Sequence, residues 1–185
     1  SVTITGKGGH QRVVALTGST PAVDRNFRDV TGQLTDTTTR IEGIEADIAA
    51  LGAWTTWTPT LANLTLGDGT VTARYQQLGK TVNYRFGFKL GSTSAVGTGP
   101  TFTLPVTAAA SPSANNTEQI GQVSLLDAGT QLYIATAIKA STTVCLVRAI
   151  ATAGAVAADT AVTALVPFLW TTNDEIVATG SYEAA

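Results

Sequence analysis

The stretch from Val23 to Leu51 constrains this chain more than any other, because it reads in sevens. Val23, Phe27, Val30, Leu34, Thr37, Ile41, Ile44, Ile48 and Leu51 are spaced alternately by four and three residues. That spacing is an a/d heptad seam, with Phe27, Leu34, Ile41 and Ile48 at a and Val23, Val30, Thr37, Ile44 and Leu51 at d. Only Thr37 interrupts the apolar run. A helix lying on a globular core would carry a wider stripe, with a third apolar position per heptad, whereas e and g here are polar. So narrow a seam cannot bury itself, and the spacing predicts a stalk of helices from several copies of the chain, about 43 Å long. The β-branched residues at a in the last two layers, Ile41/Ile44 and Ile48/Leu51, shift the preference from dimers toward higher oligomers.

Within that stretch Arg40 occupies g and Glu45 occupies e, five residues on, the pair that faces between neighbouring chains of a parallel coiled coil. Arg40-Ile41-Glu42-Gly43-Ile44-Glu45 also resembles the trimer-specifying pattern Arg-apolar-x-x-apolar-Glu of short parallel coiled coils. The resemblance implies a trimer held by Phe27, Val30, Leu34, Arg40, Ile41, Ile44, Glu45, Ile48 and Leu51. Gly32 and Gly43 fall at f and c, outside the seam, and Gly52 follows the last d residue, the usual place for a helix stop.

At 185 residues, 44% hydrophobic and 13% charged, the chain suffices for one domain plus a stalk. A net charge of −2 gives no global pull toward nucleic acid or membrane. No apolar run is long enough to span a bilayer, and the start has no secretory pattern. A Ser start in a chain without Met fits a cytoplasmically made protein that has lost its initiator, and a trimmed chain would look the same. The lone Cys145 lies in an apolar strand pattern and is expected to be a buried, inert thiol. With His10 as the one histidine, neither a protein-built zinc site nor a nucleophile–histidine pair is expected within a chain, and no cofactor either. Asp68, Asp127, Asp159, Asp174 and Glu175 are the carboxylates a glycosidase would need, but all sit in turn or loop contexts. The expectation is a protein that is not an enzyme, with no catalytic residue.

Residues 1–22 form a leader in which Val2, Ile4, Val13, Val14 and Leu16 make short apolar pieces around a Gly-rich hinge. It is read as an extended docking arm onto another protein, against the alternative of a loose terminus. Residues 23–52 are the stalk and 53–61 a connector, where Trp54 and Trp57 are read as an apolar collar near a threefold axis, an exposed aromatic platform being the alternative. From 62 to 185 the period becomes two. Val82, Tyr84, Phe86, Phe88 and Leu90 share one face of a long strand that forms a hairpin with Val71–Gln76. Further strands are expected at Phe102–Leu104, Gln119–Leu126, Gln131–Lys139, Thr143–Ile150, Val162–Leu169 and Glu175–Tyr182, with loops at Gly91–Pro100, Thr107–Thr117 and Ala151–Thr160. The fold class expected is therefore mainly β: an extended docking arm, a parallel trimeric α-helical coiled coil and a C-terminal antiparallel, jelly-roll-like β-sandwich. Arg85 and Lys89 point the same way from one strand, in a stretch without acids from Thr70 to Leu90. With Arg74 and Lys80 they make the one charge feature of the sheet, which could bind an anionic wall polymer or another virion protein, a solvated sheet face being the other reading.

Several pieces occur together in one order: Trp57-Thr58-Pro59-Thr60, Gly69, Tyr75 to Val82, Phe102-Thr103-Leu104-Pro105, Pro167-Phe168-Leu169-Trp170, Asp174-Glu175-Ile176, and Gly180-Ser181-Tyr182-Glu183. This resembles a C-terminal module of fibre and minor tail proteins of tailed phages, especially those infecting actinobacteria. The resemblance covers about two thirds of the chain and implies a trimeric virion appendage, made in the host cytoplasm. Its implied partners are further copies of itself, another virion protein through the arm, and a bacterial surface glycan, with no nucleic acid and no membrane insertion. A tail fibre for host attachment and a capsid-anchored head fibre or decoration protein both fit. The matched residues read as core and turn positions and supply no ligand site.

Overall fold

Two strongly periodic stretches, one helical and one alternating, give this chain its two compact units, Ser1–Ala50 and Leu51–Ala185. The computed structural model describes residues 2–5, 11–14, 21–112, 118–153 and 156–185. In the first unit, β1 (Val2–Thr5) pairs antiparallel with β2 (Gln11–Val14), Val2 opposite Val14 and Ile4 opposite Arg12. One helix follows, α1 (Pro21–Ala50), about 45 Å long at 1.5 Å per residue. Pro21 opens it, where its missing N–H costs nothing, and Gly52 lies just beyond its end at φ 82°. In the Thr-rich middle of α1 the hydroxyls are satisfied by bonding back into the helix. Thr35, Thr37, Thr38 and Thr39 each donate to the carbonyl four residues earlier, at 2.8–3.0 Å.

The second unit holds β3 (Thr55–Thr56), β4 (Leu61–Thr65), β5 (Thr70–Leu78), β6 (Thr81–Lys89), β7 (Ala95–Thr103), β8 (Gln119–Asp127), β9 (Gln131–Lys139), β10 (Val144–Ala153), β11 (Val156–Ala161) and β12 (Glu175–Glu183). They form one antiparallel sheet of ten strands in the order β3-β5-β6-β12-β8-β9-β10-β7-β4, with β11 on β10. The two ends of that path, β3 and β4, are neighbours in sequence, joined through Trp57-Thr58-Pro59-Thr60. Laid flat, the eight spacings along the path would separate them by about 38 Å. The chain from Thr56 to Leu61 spans at most about 18 Å. The sheet therefore has to curl. Trp57 holds the closure from both sides: its backbone N–H donates to Ala73 O on β5 (3.2 Å) and its indole N–H to Thr103 O on β7 (3.2 Å).

The curl makes the core. Phe86 on β6 and Phe102 on β7 lie five spacings apart along the sheet, about 24 Å if it were flat. Their rings stack at 4.2 Å with planes 8° apart. Large rings on β6 and β7 are accommodated by small residues on the facing strands, Ala135, Ala137 and Ala149, all buried. Gly121 and Gly180 sit opposite each other on β8 and β12, and a side chain on Gly180 would collide with the Ile120 carbonyl. Chain segments outside the strands are tied in by polar side chains. The Tyr182 hydroxyl donates to Val106 O (2.8 Å) and accepts from Val106 N (3.1 Å). Buried Lys139 reaches Ala109 O and Glu118, each at 2.7 Å. Phe168 packs against Tyr133 and Trp170, whose indole N–H donates to Thr163 O at 2.9 Å.

The expected fold class is corrected on three points. The β region is one curled sheet, a half-barrel, in place of a two-sheet jelly roll, because β12 pairs with both β6 and β8 and fuses the two groups of hairpins. The leader is not an extended arm, since β1 and β2 satisfy each other's backbone. Among the described residues there is a single helix, and no long parallel coiled coil is present. Four–three spacing reports a helical face, but within one chain it says nothing about a second helix. Individual strands also differ. Ala95–Thr103 is strand where a loop was expected up to Pro100, because Gly97, Gly99 and Pro100 hide the alternation. Ala-rich β11 pairs along β10, in a region also expected to be loop. Val162–Leu169 is not a strand; its one bridge, Thr163 with Val166, leads into Pro167, which has no N–H for a ladder.

Phe102→Ala removes a fully buried ring from the stack and is expected to lower unfolding free energy by about 3–5 kcal/mol in urea titration. Trp57→Phe keeps a ring but loses the bond to Thr103 O, and is expected to cost about 1 kcal/mol.

Candidate functional site

With Val82, Tyr84, Phe86 and Phe88 buried, the pleat of β6 turns Asn83, Arg85 and Lys89 outward. The β5–β6 register sets Arg74 directly opposite Arg85, with Thr72 opposite Gly87 and Gln76 opposite Asn83. Like charges directly opposite each other on a sheet repel. Trp54 contacts both arginines, which remain exposed. Thr55 and Thr56 pair with Tyr75 and Arg74, which brings the preceding indole over the face. The Arg85 guanidinium sits 4.7 Å from the Trp54 ring centroid, within cation–π range. The Arg74 guanidinium donates to the Trp54 carbonyl at 3.2 Å.

The sheet's other paired cations are accounted for by acids: Lys89 with Glu175 at 3.7 Å, Lys139 with Glu118 at 2.7 Å and Arg148 with Asp159 at 2.7 Å. Among the described residues, neither Arg74 nor Arg85 has a carboxylate partner. The expected couple Arg85 and Lys89 is thus on one face, as the alternation implies, but Lys89 is engaged by Glu175. The group the structure brings together is Trp54, Arg74 and Arg85. The opposition of Arg74 and Arg85 could be counted from the Leu78–Thr81 turn. The place of Trp54 could not, because a two-residue strand such as β3 leaves no periodic signal. The expected collar of Trp54 and Trp57 dissolves, since Trp57 belongs to the sheet closure and packs edge-on against Tyr75 at 6.1 Å. Beside Arg74 an apolar groove of about 310 Å³ follows the closure, lined by Trp57, Pro59, Leu61, Leu66 and Val71.

On α1 the described seam residues face solvent. Val30 is 55% exposed, Leu34 58%, Ile41 50%, Ile44 56% and Ile48 61%, and Leu51 beyond the helix is 59% exposed. Arg40 and Glu45 are exposed on the same helix. The side chain of Phe27 lies outside the described residues, as do those of Val2, Ile4, Val13 and Val14, whose backbones form β1 and β2. Leu16 and His10 lie outside the described residues altogether.

Four of the five carboxylates weighed for catalysis hold structure through their side chains, and Asp127 serves its turn through its backbone. Asp174 is fully buried and accepts from the Thr171 and Ala128 N–H groups. Asp159 pairs with Arg148 and Glu175 with Lys89. The Asp127 carbonyl accepts from Thr130 N in the β8–β9 turn. Asp68 accepts from Ser92 Oγ (2.7 Å), Thr93 N (2.7 Å) and Thr93 Oγ1 (2.8 Å), tying the loop after β4 to the loop before β7. These bonds, the Thr93 N–H first, hold its carboxyl far below the usual carboxylate range. Cys145 is fully buried, and burial pushes its thiol up to about 12. Among the described residues no group of acids, His and Cys could hold a metal ion.

No family model matches this chain, and comparison with curated proteins and with solved structures finds no match.

Asp68 gives a pH prediction. Its carboxyl is depressed in the fold, so its contribution is complete above the unfolded value of about 3.9 and is lost as pH falls below it. Asp68→Asn is expected to be less stable than wild type at pH 7 and to lose less further stability between about pH 4 and 2. Urea midpoints across that range check both.

Proposed function

We propose that this chain is a non-enzymatic virion protein of a tailed phage, a homotrimeric fibre on the tail that contributes to host-surface attachment. The observation that carries this reading is the apolar stripe of α1, from Val30 to Ile48, at least half exposed along its described length. A stripe left exposed among the described residues suits association with further copies. The ordered resemblance to phage fibre modules supports the class of assembly. Several of its residues carry structural contacts here: Trp57 at the sheet closure, Phe102 in the aromatic stack, Trp170 on Phe168 and Tyr182 on Val106. The structural use of Asp68, Asp159, Asp174 and Glu175 supports a role that is not catalytic.

A capsid-anchored head fibre or decoration protein is the second reading. The length of α1, about 45 Å, favours it over a long tail fibre.

Ile41→Asp with Ile44→Asp is expected to convert a species of three times the 19.0 kDa chain mass into monomers while the β-sheet circular-dichroism signal persists. Analytical ultracentrifugation reads the mass, and an unchanged mass would refute self-association through the stripe. Immunogold labelling of intact particles with antibody to residues 54–185 separates tail from capsid.

A further inference from the structure

We infer that Trp54, Arg74 and Arg85 form a binding site for an anionic glycan, a sugar polymer carrying carboxylate or phosphate groups. The inference rests on the attachment reading and names the ligand chemistry of its outer face. Three observations lead to it. First, the two guanidinium groups stand at directly opposed positions on neighbouring strands, an arrangement that repels, and no described acid relieves it. An anion placed between them would.

Second, both groups are oriented by one residue without exhausting their donors. The Arg85 guanidinium lies over the Trp54 ring at 4.7 Å, a cation–π contact that does not itself use up an N–H donor on an acceptor oxygen. Arg74 uses one N–H on the Trp54 carbonyl and keeps the others. A planar fork held in this way matches the two oxygens of a carboxylate or phosphate.

Third, the surrounding outer face is neutral and rich in hydrogen-bonding groups. Thr72, Gln76 and Asn83 flank the arginines on β5 and β6, and Thr179 lies opposite Arg85 on β12. Glu175 and Glu183, the acids on β12, lie four residues either side of Thr179, with Glu175 engaged by Lys89. Hydroxyl and amide groups around a charged fork suit the hydroxyls of a sugar. A nucleic acid would call for more than one stacking ring and a wider basic surface, and the chain's net charge is −2.

The test is titration calorimetry of the full chain with hexagalacturonate, with mannose 6-phosphate, with neutral maltohexaose and with single-stranded DNA. Binding to either anionic sugar and not to maltohexaose is expected, and the two anionic arms tell carboxylate from phosphate. Arg74→Gln with Arg85→Gln should weaken it by about tenfold or more, since charge-assisted bonds are lost. Trp54→Ala should weaken it too. Lys89→Gln removes one positive charge at a paired position and should change it less than about twofold. No binding to either anionic sugar, equal loss in Lys89→Gln, or tighter binding to DNA than to the sugars would overturn the inference. Host cells bound by a chain that ignores both anionic sugars would overturn it too, while leaving the attachment reading in place.

Discussion

The sheet depends on one constraint: its two edge strands are consecutive in the chain. Only Trp57 to Thr60 separates β3 from β4, so the nine strands of the path must bend round until their ends nearly meet. Hydrogen bonding along the path fixes each neighbour, but this short connection fixes the curvature. Curvature in turn decides what the inner face holds. Phe86 and Phe102 can stack only because opposite walls converge, and the alanines of β9 and β10 leave room for them. Close packing then makes the arrangement cooperative, since a ring lost from one wall leaves a cavity the other cannot fill.

The same connection separates structure from the candidate site. Trp54 and Trp57 are three residues apart across the extended Thr55–Thr56, and an odd step along an extended chain reverses the direction of the side chain. Trp57 turns toward the core and bonds to Thr103 O. Trp54 meets Arg85 on the outer face. One short strand thus supplies both the closure of the sheet and the organiser of its unpaired arginines. Rigid placement on paired strands suits recognition, because little side-chain freedom remains to be lost when a ligand arrives.

What the sequence disclosed follows from how local each signal is. Strict alternation from Val82 to Leu90 located β6 and its buried face, and the turns at Leu78–Thr81 and Asp127–Thr130 located two hairpins. The helix was legible for the same reason, since apolar residues recur once per turn from Val30 to Ile48. Signals weakened where small residues replaced alternation, as in β7 and β11, and failed where the deciding contact was long-range. Nothing near Glu175 indicates that β12 lies between β6 and β8, which is what turns a presumed sandwich into one sheet. For the site, charge and facing were legible at Arg85, but the pairing of Lys89 with Glu175 joins residues far apart in sequence.

The helix and the sheet differ in how far each satisfies itself, and the proposed function turns on that difference. The sheet buries its aromatic core, Tyr84, Phe86, Phe88 and Phe102, within its own curl and pairs three of its cations with acids, although Leu132, Ile134, Leu165 and Leu169 stay exposed. The helix leaves its apolar stripe in solvent. A fork of two exposed arginines is a weak binder alone, because water and salt compete for it. Its usefulness depends on how many copies engage one polymer, and linked copies gain effective concentration without any new contact. On the proposed reading the stripe supplies that multiplicity and the sheet supplies the contact. Loss of the stripe would then weaken attachment even with Trp54, Arg74 and Arg85 intact, because each site would act alone.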